Sequence, residues 1–149
     1  MREGGFWLTL GGGLSLGAAF AHLAAIAGGA SWYRVMGAGE RMASAAERGD
    51  AFPAVATLAI ALVLAGWAAY AASGAGLIAR LPLLRPVLIA ITLVYLARGM
   101  VLFWPTLLRR PDLTPAFLFW SSLVVLAIGT VHAIGVWRAW PQLAAHGDG

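Results

Sequence analysis

The chain has 149 residues, 61% hydrophobic and only 11% charged, with a formal net charge of +4. Its mean hydropathy of +0.83 is more apolar surface than one soluble core hides, which excludes an ordinary soluble domain. The ten basic residues are all arginines placed around apolar runs, and cysteine is absent; nucleic-acid binding, disulfides and thiolate metal sites are therefore not expected.

The first apolar run, 6–29, follows "MRE" and is longer than the roughly 7–15 residues of a signal-peptide core, so it reads as a retained transmembrane helix. Every fourth residue from Gly13 is small: Gly13, Gly17, Ala21, Ala25 and Gly29. This flat ridge is expected to pack closely on another helix.

The connector after it is long enough to hold structure. Within it, "ERMASAAERG" has no helix breaker before Gly49, sets Arg41 and Arg48 one heptad apart and puts Met42 and Ala46 on one face. The segment reads as a short amphipathic helix lying on the membrane surface.

A second span covers 53–72, with Pro53 in the first turn, where a missing N–H costs nothing. Its small residues Thr57, Ala61, Ala65, Ala69 and Ser73 repeat every fourth position, so the first two spans are expected to meet ridge to ridge. The third and fourth spans cover 84–104 and 116–140. Pro115 opens the fourth, while Pro105 and Pro141 are expected to follow span ends. Trp7, Trp32, Trp104, Trp120, Trp137 and Trp140 fall near the ends, where indole rings prefer the interface. The short connectors make consecutive spans antiparallel neighbours.

The expected fold class is an all-α integral membrane protein: one domain over 1–149, an antiparallel four-transmembrane-helix bundle with a short amphipathic interfacial helix between spans 1 and 2. The arginine-only, Ala/Gly-rich composition suggests a GC-rich bacterial source. Arg2, Arg80, Arg85 and Arg138 fall on one side, and Arg34, Arg41, Arg48, Arg109 and Arg110 on the other. The three that follow the first span favour both termini outside.

The strings "AHLAAIAGGASWYRVMGAGERM", "YAASGAGLIARLPLLR" and "ITLVYLARG" resemble those of small four-span bacterial membrane proteins of uncharacterised function. The resemblance implies a multi-pass protein of the bacterial inner (cytoplasmic) membrane, and supplies no activity or cofactor. DoxX-like membrane proteins are similar in general size and span count.

One residue stands out, either as a site candidate or as a cation that snorkels towards the interface at Trp104 or sits in a structural ion pair. Arg98 lies within "LVYLARGMVLF", and a charge at a helix centre costs roughly 2.5–3.5 kcal/mol on insertion scales. No acid lies within any span, so Glu40, on the flexible "GAGE" turn of the same membrane side, is the first-choice partner. His22, Tyr33, Thr57, Tyr95, Ser121 and Ser122 share that half of the membrane, and the candidate ligand-binding set is Arg98, Glu40, His22 and Tyr95. His22 and His132 invite a shared haem, but their depths differ by about 13 Å at the helical rise per residue. No cofactor, metal or catalytic residue is therefore expected, and no nucleotide-loop, zinc-protease or nucleophile-elbow motif occurs.

Two functions follow. The first is a non-catalytic accessory or scaffold subunit, partnered by the bilayer and by a second copy or another membrane protein. The second is binding or processing of a lipid or isoprenoid-type molecule in a polar half-membrane pocket around Arg98.

Overall fold

The computed structural model describes residues 3–104 and 115–144. Arg2, Pro105, Arg109 and Arg110 lie outside the described residues. Long runs without internal breakers become helices: α1 (Glu3–Val35), α2 (Glu40–Glu47), α3 (Phe52–Gly74), α4 (Leu84–Met100) and α5 (Pro115–Ala144), with a 3-10 turn, Val101–Phe103, extending α4. No strand occurs among the described residues. The four long helices are long and apolar enough to cross a membrane, which makes this a membrane protein. Pro53 sits in the first turn of α3 and Pro115 opens α5.

Two boundaries differ from the sequence expectation. The first helix does not end at residue 29; Gly29 takes φ 65 and ψ −149 and bends the chain, which continues helical to Val35. A residue with a side chain is strained in that conformation, whereas glycine adopts it freely. Pro141 lies inside α5 rather than after it. The hydrogen bond it removes is close to the helix end, and the last turn is anchored by Leu143, which is buried and accepts a hydrogen bond from Arg80 Nη2 through its carbonyl at 3.1 Å.

Close approaches fix how the helices pair. Gly4 abuts Ala139, Gly135 abuts Leu8 and Gly11 abuts the His132 ring, so α1 and α5 run in opposite directions. Gly5 and Gly12 face Ala75 and Ala71, which sets α1 opposite to α3. Gly99 meets Leu126 and Gly129 meets Leu96, which does the same for α4 and α5. Leu8, Leu64, Leu88, Ile91, Ile128 and Val136 fill the space between the long helices.

The expected ridge on α1 is only partly used. Gly13 and Gly17 are exposed, with open space where a side chain would stand. The buried face instead carries Leu8, Gly11, Gly12, Ser15 and Ala19. Leu8 in the core and the bond from Tyr95 to Ser15 fix that face, and it turns the strip from Gly13 outwards. On α3, Thr57, Ala61 and Ser73 are buried as the spacing suggests.

Candidate functional site

The bend at Gly29 and the turn after α1 bring the amphipathic segment back over the end of the first helix. Gly37 and Gly39 both have positive φ, 71° and 91°, which lets the chain reverse within a few residues. Arg34 then holds α2: its Nε and Nη2 donate to the two Glu40 oxygens at 2.9 and 2.6 Å, and its Nη1 donates to Glu47 at 2.8 Å. Glu40 and Glu47 are seven apart and so share one face of α2. Hydrogen bonds from Arg34, and then from Ser44, hold the Glu40 carboxyl below its ordinary range. Ala43 and Ala45 are the buried residues of α2, and Ala43 packs with Ala25 and Tyr33 in a small core of their own.

Beneath α2, between the second half of α1 and the first turns of α3, lies a cavity of about 740 Å³. That volume falls within the roughly 300–1,000 Å³ typical of small-molecule sites. Its wall is mixed: His22, Tyr33, Thr57 and Arg41 supply polar atoms, and Ala25, Ala45, Met36, Met42, Phe52 and Ile60 supply apolar surface. His22 Nδ1 lies 2.8 Å from the Ala18 carbonyl. A carbonyl can only accept, so the proton sits on Nδ1 and Nε2 is the ring's other polar atom. Tyr33 is only 3% exposed, and its buried hydroxyl has no hydrogen-bond partner among the described residues. Buried hydroxyls are normally paired, and this one belongs to a residue of the cavity wall.

The four residues expected to form a site have four different sets of neighbours. His22 lines the cavity. Glu40 is taken by Arg34 and Ser44 rather than by Arg98. Arg98 lies in the last turn of α4, where the helix dipole favours a cation, and its Nη1 donates to Ser122 Oγ at 3.0 Å. Ser122 is itself buried, so this bond ties the end of α4 to α5. Tyr95 donates to Ser15 Oγ at 2.9 Å, meets the Trp67 ring edge to face and lies tilted against the His132 ring. Of the wider polar set, His22, Tyr33 and Thr57 reach the cavity, whereas Ser121 bonds the Leu118 carbonyl of its own helix.

The two histidines are far apart. His132 rests against Gly11, eleven residues before His22 on α1, or about 16 Å of helix. His132 is wholly buried; its Nδ1 donates to the Ile128 carbonyl at 3.0 Å, and its Nε2 has no partner among the described residues. Among those residues no three histidine, aspartate or glutamate side chains come together to hold a metal.

The residue that sequence reasoning passed over is Arg41, read only as part of the amphipathic surface helix and as one of the charges that set orientation. The signal was the equal spacing of Glu40 and Glu47 beside that of Arg41 and Arg48, with Arg34 one turn from the glycine reversal. Against family models, curated proteins and solved structures, the chain has no match.

Proposed function

We propose that this is a multi-pass membrane protein that binds an amphiphilic molecule in the cavity beneath α2, without doing covalent chemistry on it. The observation that carries this reading is the cavity itself, with a cation at one end of the wall and a histidine and a threonine among methionines and other apolar side chains. His22 lies seven residues, roughly 10 Å, before the bend at Gly29, about a third of a hydrocarbon core near 30 Å thick. An occupant would therefore lie within a single leaflet.

In this reading the four long helices form an antiparallel bundle and α2 lies at the membrane surface. The opposed pairings of α1 with α3 and α5, and of α4 with α5, support the first point. The exposed Glu40, Arg41 and Glu47 of α2, beside its buried Ala43 and Ala45, support the second. The bacterial inner membrane is the proposed location, on composition and resemblance alone.

The test is labelling with a photoreactive single-chain amphiphile, followed by peptide mapping. Labelled peptides should come from α2, the second half of α1 and the start of α3. Labelling spread evenly over all lipid-facing helices, or concentrated on α4 and α5 around Arg98, would overturn the reading.

The accessory or scaffold function keeps one specific observation in its favour: Gly13 and Gly17, four apart, face outwards with free space beside them. That arrangement admits close approach of another helix. We propose self-association through this face as the second reading.

A further inference from the structure

We infer that the occupant of the cavity is a long-chain carboxylate, its anionic end on Arg41 and its chain running inwards past Met42 towards His22. The inference rests on the binding function proposed above and adds the chemical class of the ligand.

The charge pattern on the page leads to it. Each described arginine but one has a protein partner. Arg34 binds Glu40 and Glu47, Arg48 binds Asp50, and Arg138 binds Glu3. Arg80 binds the Leu143 carbonyl, Arg98 binds Ser122, and Arg85 lies 3.9 Å over the Trp140 ring. Arg41 alone among the described residues has none, and it is the cation that lines the cavity. The acids Glu3, Glu40, Glu47 and Asp50 are all engaged in those pairs. No described acid is therefore left to answer Arg41.

The head belongs at the Arg41 end because Arg41 is exposed at the rim. A carboxylate placed at the inner end would lose its hydration with no cation beside it. The class follows from the balance of charge. Arg41 supplies one positive charge in a planar fork that matches a carboxylate. A phosphate monoester carries about −1.5 to −2 at neutral pH; a single guanidinium would leave part of that charge unanswered. A neutral alcohol would leave the guanidinium unanswered. The apolar length beyond, with two thioethers that adapt to an irregular chain, suits an alkyl tail.

The test is displacement of a fluorescent fatty acid from the detergent-solubilised protein at alkaline pH by oleate, oleyl alcohol and oleyl phosphate. Oleate is expected to displace most effectively. The substitution Arg41→Gln should weaken oleate by about tenfold, the loss of one charge-assisted pair, and leave oleyl alcohol unchanged. No described residue pairs with the Arg41 guanidinium, so the variant should keep the wild-type unfolding midpoint. If oleate and oleyl alcohol displace alike and Arg41→Gln changes neither, the carboxylate assignment fails while the cavity stands as a binding site. Stronger, Arg41-dependent displacement by oleyl phosphate would replace carboxylate by phosphate and overturn the assignment too. If none of the three displaces the probe, and the probe itself binds equally well when Ala45→Phe fills the cavity, the binding function itself fails.

Discussion

Gly99→Ala is expected to lower the thermal unfolding midpoint of the detergent-solubilised protein, through a destabilisation of about 1–3 kcal/mol or more, the usual cost of overpacking. A methyl group built at Gly99 would lie 2.6 Å from Leu126 Cα. The obstacle is backbone, so no rotamer change relieves it, and α4 must move away from α5. That movement would also stretch the 3.0 Å bond from Arg98 to Ser122, one residue before and on the facing helix. Gly66→Ala, on the exposed side of α3, is the internal control. It meets nothing within 4 Å, and alanine is favoured over glycine in a helix by up to about 1 kcal/mol. Its midpoint should be unchanged or slightly higher. Equal effects from the two substitutions would show that α4 and α5 do not approach as described.

Ala45→Phe is expected to do the opposite: a far larger side chain is added, yet the fold is kept and ligand capture is lost. Ala45 belongs to the cavity wall and is only 9% exposed, so a ring there enters empty space. Filling a void adds dispersion contacts without forcing backbone apart. The unfolding midpoint should hold or rise, while photolabelling of α2 and the first turns of α3 should fall to background. A lower midpoint with unchanged labelling would mean that the space beneath α2 does not hold the ligand. Read together, the two substitutions separate packed from unpacked small residues.

Much of the architecture was legible because it depends on composition and period. Runs near twenty apolar residues, closed by Pro53, Pro115 and the tryptophans, dictate four spans. The helix over "ERMASAAE" follows from its lack of breakers and its two faces. Gly29 was harder: a glycine at the end of an apolar run is equally consistent with a stop and with a bend, and only the polar residues from Ser31 to Arg34 hinted at another turn. Pro141 misled in a similar way, since the rule that proline follows a helix does not foresee Leu143 anchoring a further turn.

Which face a helix buries was less legible than its length. The strip from Gly13 and the strip through Gly12 both read as small, and the choice between them was made by Leu8 and by Tyr95, distant in sequence. The site was the least legible part. Arg98 drew attention because its charge is costly in hydrocarbon, but its place in the last turn of α4, bonded to Ser122, explains it as a tie between helices. Glu40, expected to answer that charge, is closer along the chain to Arg34 and shares a helix face with Glu47, which makes the bidentate clasp the stronger arrangement. Arg41 becomes conspicuous only when every other described arginine is seen to be occupied, a fact of three-dimensional pairing that no sequence window contains.

The most direct test of the central claim is a native mass spectrum of the protein gently extracted from its own membrane. A reproducible adduct with the mass of a single-chain acid is expected on the wild-type chain, retained in Arg98→Ala and absent from Ala45→Phe. A wild-type protein that carries no adduct, or an adduct lost in Arg98→Ala and kept in Ala45→Phe, would contradict the assignment of the cavity beneath α2 as the binding site.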